Sequence, residues 1–338
     1  MTESLIRAVF PGLLQREYII LPDGRAFNDI LGGNALYSAV GWLVWQPQEP
    51  AGIVARVGED FPQGWLSEIA EHGIETQGVR VQSHSIELRN FYAYLTPYQY
   101  VQEEAILHYS RNGQSFPKSL FGYQPSIPTA SRTRVEETSL RSTDIPSEYL
   151  NATAAHIAPM DYLTHNLIPS LLHQGTITTL TLAPSTAYMN PIFFSDIPQI
   201  LMGLTAFLPT ENQLRSLFKE RSEDIWEMAE ALSSSGCEII VVQKDDLSQY
   251  VYDGMGRKRW FIPPYPARIL SAHAAEDVFC GGFLAGYQRN FDPLEAALYG
   301  NIAASLAVEG VGPFYALDAE PRLALARLDS LRQAVRKC

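Results

Sequence analysis

In the carboxyl-terminal half of the chain, short β-rich runs alternate with helical patterns, and this alternation restricts the possible fold more than any other feature. "AAHIAPM" at 154–160, "TITTLTLAPS" at 176–185, "LTAFLPT" at 204–210 and "CEIIVVQKDD" at 237–246 read as strands. Between them lie helix-forming stretches such as "LIPSLLHQG" and "ENQLRSLFKERSEDIWEMAEAL", the latter read as one helical segment. Strands spaced by helices imply α/β construction around a mainly parallel sheet. The carboxyl third adds a helix after Asp277, another over "PLEAALYGNIAASLAVEG", and a terminal charged helix to about Lys337.

The amino-terminal third has a different texture. Residues 3–31 read as short extended segments, with "PDG" at 22–24 as turn chemistry. "GGNALYSAVGWLVW" sets two glycines before a buried helix, "AGIVARVG" reads as a strand, and "WLSEIAEHGI" as an amphipathic helix closed by Gly73. Residues 87–111 are aromatic and roughly alternating, the pattern of a β-hairpin or flap that could cover a site. Residues 113–147, polar with scattered Pro, Ser and Thr, read as a surface excursion.

Charge and composition narrow the partners. The 25 Lys and Arg against 37 Asp and Glu give a net charge of -12, which repels nucleic acid and anionic membrane surfaces. Three cysteines, Cys237, Cys280 and Cys338, have neither the count nor the spacing of a disulfide framework or zinc cluster, and read as free thiols in a reducing compartment. No run is long and apolar enough for a membrane span or a secretion signal, so a cytoplasmic protein is expected. A Rossmann-type reductase is set aside because no G-x-G-x-x-G lies between a strand and a helix.

Taken in order, "GGNALYSAVGWL", "VGEDFPQGW", "FLPTENQ", "VVQKDD", "SAHAAEDVFCGGFL" and "NIAASLAVEGVGP" resemble the successive signatures of the ribokinase-like, PfkB-type family of carbohydrate and nucleoside kinases, over nearly the whole chain. The resemblance implies a doubly wound α/β sandwich forming a single domain over 1–338, with a small β-sheet lid from about 13–31 and 86–112. It also implies ATP and Mg2+ as cofactors and a sugar, polyol or nucleoside as acceptor. A homodimer through the lid is a further implication, with the aromatic flap at Phe91 to Tyr100 as its candidate surface.

Site residues follow from the same resemblance. Asp277 matches the catalytic base; without the resemblance it reads first as an N-cap at the start of a helix. Ala274, Ala275 and Glu276 stand where backbone amides form an anion hole, and alanine there is compatible with an anion hole only if the backbone is right-handed. Glu17, Gly33, Asn34 and Tyr37 fall at acceptor-binding positions; Thr210, Gln213, Gln243, Asp245 and Asn301 fall at nucleotide-binding ones.

This chain departs from the pattern at several of these places. Glu17 replaces an aspartate, Tyr37 an asparagine, Gln213 a glutamate and Asp245 a glycine, while Ser271 and His273 replace the residues of a monovalent-cation site. Glu211 or Glu276 could make good the lost carboxylate as an outer-sphere magnesium partner. His273, without triad or metal companions in the sequence, reads as a loop residue. Two functions follow: an active kinase, or a catalytically inactive descendant that binds a small molecule or a protein partner.

Overall fold

The structure, a computed structural model, describes residues 6–126 and 129–338. Chain order gives β1 (Ala8–Pro11), β2 (Gln15–Ile20), β3 (Ala26–Gly32), α1 (Asn34–Trp45), β4 (Ala51–Val57), α2 (Gln63–Glu71), β5 (Ile74–Val81), β6 (Arg89–Tyr94), β7 (Tyr100–Val101) and α3 (Ala105–Arg111). After a segment with short 3-10 turns come β8 (Ala154–Ile157), α4 (Tyr162–Leu172), β9 (Thr179–Leu182), α5 (Ile197–Leu201), β10 (Ala206–Phe207), α6 (Glu211–Leu217), α7 (Ile225–Ser233) and β11 (Ile239–Gln243). A meander of β12 (Gln249–Asp253) and β13 (Lys258–Ile262) follows, then α8 (Ala275–Asn290), α9 (Pro293–Ala307), α10 (Pro321–Arg332) and β14 (Arg336–Lys337).

Ten strands form one sheet in the order β14-β13-β12-β11-β10-β9-β8-β1-β4-β5. Its strands from β11 to β5 are parallel, and the antiparallel β12, β13 and β14 close one edge. The parallel strands are apolar on both faces, as in the fully buried "AGIVARV" of β4, because helices cover both sides. Around α1, α8 and α9 one core forms; Phe207, Ile240 and residues of α4 to α7 build the other. Glycines let α8 touch its neighbours backbone to backbone: a Cβ on Gly281 would fall 1.7 Å from the Ser38 carbonyl, and one on Gly41 2.0 Å from that of Val278. The expected doubly wound architecture is therefore present.

Chain order reverses between β1 and β8, since β1, β4 and β5 step one way and β8, β9 and β10 the other. Such a switch point opens a crevice beyond the carboxyl ends of the strands. Asn34 spans it. Its Oδ1 accepts from the Leu13 amide at 2.7 Å, after β1, and its Nδ2 donates to the Pro159 carbonyl at 2.9 Å, after β8.

A second sheet, ordered β3-β2-β6-β7, stands over this crevice. One of its faces carries Ile19, Tyr92 and Tyr94 toward Val311 of the main body; the other buries Tyr18, Ile20, Phe91 and Ala93 under Tyr109, Leu120 and Tyr123.

Three sequence expectations are corrected. The flap at 87–111 is only half extended: Glu104 takes a left-handed backbone, and α3 then buries Tyr109 on the lid, so tertiary packing overrides the aromatic alternation. The segment at 211–232 is two helices, interrupted at left-handed Glu220 and restarted by Asp224, whose side chain accepts from the amides of Trp226 and Glu227. The terminal helix stops at Arg332, short of Lys337. The alternation of "QYVYDGMGRKRWFI" corresponds to the hairpin of β12 and β13.

Candidate active site

At the switch point, below the lid, lies a pocket of about 170 Å³. Its lining includes Gln15 and Glu17 of β2, Tyr92 and Tyr94 of β6, Tyr100 of β7, Asn34 and Tyr37 of α1, and the loop and first turn from Ala272 to Asp277. No Lys or Arg among the described residues lines it. Asp277 sits in the first turn of α8 and borders the cavity, as does Glu276, whose side chain is exposed.

Both carboxyls are lifted above the ordinary carboxylate range. Desolvation, with a contribution from Asp245, pushes Glu276 up to about 7, and the exposure of its side chain works against that lift. Burial raises Asp277 well above its ordinary value, and the neighbouring charges of Glu276 and Glu17 add to it. A site rich in carboxylates and without Lys or Arg among the described residues favours either a bound proton or a cation.

The loop before α8 is pinned from three sides. The Leu270 amide donates to the Val308 carbonyl at 2.8 Å, the Ala272 amide to that of Pro97 at the lid tip at 2.6 Å, and His273 Nε2 lies 2.7 Å from Glu17 Oε2. The backbone then turns through Ala274 in the left-handed region, at φ 58. The condition under which alanine suits an anion hole, a right-handed backbone, is therefore not met at Ala274, where constraints on either side impose the left-handed turn. Ala275 does not offer a free donor, because its amide bonds back to the Ala272 carbonyl at 3.2 Å. Those of Glu276 and Asp277 make no hydrogen bond among the described residues and are the free donors of the helix terminus.

The acceptor-site candidates are brought together, but largely satisfy one another. Glu17 is only 1% exposed. The Gly33 amide donates to its Oε1 at 3.2 Å and the Tyr37 hydroxyl to its Oε2 at 2.6 Å. Gly32 makes room for the longer acid, since a Cβ there would fall 2.1 Å from the Glu17 carboxyl carbon. Gly33, at φ 111, passes so close that a Cβ would meet the Leu13 carbonyl at 2.4 Å. Asn34 is spent on the strand ends.

Most of the nucleotide-site candidates hold structure. Thr210 and Gln213 form the reciprocal capping box of α6, and Gln213 Nε2 donates to the Pro184 carbonyl at 2.9 Å. Asn301 is saturated: its amide nitrogen donates to Leu247, Gln249 and Pro263, and its oxygen accepts from the Tyr265 amide. Gln243 Nε2 donates to Cys280 Sγ at 3.5 Å. Asp245 accepts from Asn212 at 3.2 Å and lines a separate cleft with Glu211, Lys244 and Asp246. Glu211, the other candidate outer-sphere magnesium partner, pairs with Arg215 at 2.6 Å.

Sequence reading missed Gln15, Tyr92, Tyr94, Tyr100 and His273 as pocket residues. For the tyrosines the aromatic flap was the available signal. For His273 the signal was its place immediately before the anion-hole turn.

No three His, Cys, Asp or Glu side chains gather as a metal cluster among the described residues. The donor set nevertheless suits a magnesium ion held through water, because Asp245, although it lines the neighbouring cleft, is near enough to act on the Glu276 charge, and among the described residues Glu276 has no basic partner and Asp245 hydrogen-bonds only an amide. No helix among the described residues is long and apolar enough to cross a membrane.

Comparison with known proteins agrees with this geometry. A cytidine kinase of Thermococcus kodakarensis is 24% identical over 298 residues, covering 86% of this chain and 91% of the relative. A fructokinase from Vibrio cholerae O395, solved with fructose, ADP and calcium, superposes with a TM-score of 0.68 at 14% identity, over 96% of this chain and 100% of that one. Aminoimidazole riboside kinase from Salmonella enterica, solved with aminoimidazole riboside and an ATP analog, gives 0.67 at 12% identity, over 95% and 99%. The fold is ribokinase-like. The family described as pfkB family carbohydrate kinase matches residues 134–319, more than half of the chain, and the chain belongs to that family.

Proposed function

We propose that this protein transfers the γ-phosphoryl group of ATP to a hydroxyl of a nucleoside, with Asp277 taking the hydroxyl proton. The observation that carries this reading is the position of Asp277, in the first turn of α8 and on the pocket wall opposite the lid tyrosines. A carboxylate there reaches an alcohol bound beneath the lid, and the free amides of Glu276 and Asp277 lie where negative charge develops on the moving phosphoryl. The acceptor oxygen bonds to phosphorus as the bond from phosphorus to the ADP oxygen breaks, and the acceptor proton passes to Asp277. Magnesium bound with the nucleotide would neutralise phosphate charge, with Glu276 and Asp245 holding its water shell.

The nucleoside preference over a plain sugar is supported by the aromatic lining. Tyr92, Tyr94 and Tyr100 present ring surface to the pocket, suited to a planar base. The cytidine kinase relative points the same way. Retention of Asp277 beside free amides supports activity rather than an inactive descendant.

The test is nucleotide turnover with Mg-ATP across a panel of nucleosides, sugars and polyols, in the wild type and Asp277→Asn. The expected result is turnover of at least one nucleoside, falling by about 10²- to 10⁴-fold in the variant while acceptor binding by calorimetry persists. Turnover of sugars only would move the acceptor class, and undiminished turnover in Asp277→Asn would remove the base.

A further inference from the structure

We infer that His273 is a specificity-determining residue for the acceptor: with Nε2 anchored on Glu17, its Nδ1 binds a second acceptor hydroxyl, one that is not phosphorylated. This inference rests on the proposed acceptor pocket and adds to it the group that reads the acceptor.

The argument begins with what Glu17 can no longer do. Its carboxylate is almost wholly buried, with the Gly33 amide on one oxygen and both the Tyr37 hydroxyl and the His273 imidazole on the other. A carboxylate is an acceptor, so its contact with Nε2 places the proton on that nitrogen. The second ring nitrogen, Nδ1, has no hydrogen-bond partner among the described residues and is not sealed from solvent. His273 itself lines the pocket. The imidazole is the polar end that this buried network presents to a ligand.

The ring is also held in orientation. Tyr92 meets it edge to face at 4.6 Å between centroids, Tyr37 at 5.6 Å and Tyr94 at 6.4 Å. A polar group fixed in advance by packing and by a buried carboxylate loses little freedom on binding, and so discriminates well. The partner that fits is a hydroxyl. It donates to Nδ1 of a neutral ring and accepts from Nδ1–H of a charged one, so the pairing survives either state of the imidazole. The acceptor class is thus a ribonucleoside or another polyhydroxylated molecule, in preference to its deoxy counterpart.

The experiment compares a ribonucleoside that the enzyme accepts with its 2′-deoxy and 3′-deoxy analogues, in the wild type, His273→Ala, His273→Gln and Glu17→Gln. The wild type should favour the ribonucleoside by about 10-fold or more in kcat/KM over one deoxy analogue. In His273→Ala that preference should collapse to within about 2-fold, through KM more than kcat. His273→Gln, which keeps a polar end, should restore part of it, and Glu17→Gln should weaken it by releasing the ring. A purely structural role would lower activity toward all analogues alike. Discrimination intact in His273→Ala, or equal losses for both partners of the pair, would overturn the inference. Calorimetry of the same pairs without nucleotide reads the same ratio independently of phosphoryl transfer, so the failure of one reading is separable from the failure of the other.

Discussion

The Tyr37 hydroxyl donates to Glu17 Oε2 across 2.6 Å, joining the first turn of α1 to the lid strand β2. Both side chains are buried, so neither can replace the other with water. Tyr37→Phe removes one donor from a buried carboxylate and should destabilise the protein by about 1–3 kcal/mol. Urea unfolding would show it as a lower midpoint at unchanged slope. A variant as stable as the wild type would mean that Glu17 is satisfied by His273 and Gly33 alone.

The lid is stitched to the body by more than this pair, and its far side is finished within the chain. Leu120, from the segment after α3, packs with Tyr18, Phe91 and Tyr109 over the lid face that looks away from the pocket. Leu120→Ala should cost about 2–3 kcal/mol, with hydrogen exchange rising first in β2 and β6. Because its own chain covers this face, a homodimer through the lid is left the exposed Leu95, Tyr98 and Tyr100 as its surface, and Leu95→Glu should shift its sedimentation toward that of a 37.7 kDa monomer. A sedimentation profile unchanged in that variant would remove this lid surface as the contact.

The uneven legibility of the chain has a physical reason. The parallel strands announce themselves because both their faces are buried, as in "AGIVARV" and "IIVVQ", and the helix of Asp277 because small residues must pack against α1. Pocket chemistry was less visible, since Glu17, Tyr37 and His273 lie far apart in sequence and their partnership exists only once the lid folds over the switch point. Gln213 and Asn301 show the converse. An amide at a binding-motif position can equally tie off backbone groups, and only the hydrogen-bond inventory tells the two uses apart.

Glu276 makes stability depend on pH in an unusual direction. Its folded affinity for a proton is raised, from an ordinary 4.5 to about 7. Within that window the native chain holds a proton that the unfolded chain has released, so stability falls as pH rises and the benefit is gone above about 7. Asp277 shifts in the same direction. The melting temperature of the ligand-free protein should therefore decline between pH 5 and pH 8. Glu276→Gln, which keeps the shape without the titration, should flatten the slope, and magnesium with nucleotide should oppose it in the wild type. Parallel profiles for variant and wild type would show that pocket water fully screens the Glu276 charge.

Ala274 carries the last test, because its left-handed backbone is forced by its neighbours. Ala272 is tied to Pro97, His273 to Glu17, and the Ala275 amide returns to Ala272, so one residue must reverse the chain before α8 can start. At φ 58 a side chain crowds the following carbonyl, at a cost of roughly 1–2 kcal/mol that glycine escapes. Glycine also gives the unfolded chain more freedom, which offsets about half of the gain. Ala274→Gly should thus stabilise the protein by about 0.5–1 kcal/mol, a rise of roughly 1–3 °C in Tm for a chain of this size. Ala274→Val should lower it, because a β-branched residue is strained there. A glycine variant that melts lower than the wild type would mean that the loop adopts the left-handed turn without strain, and that the order of residues at the mouth of α8 is set by something other than backbone geometry.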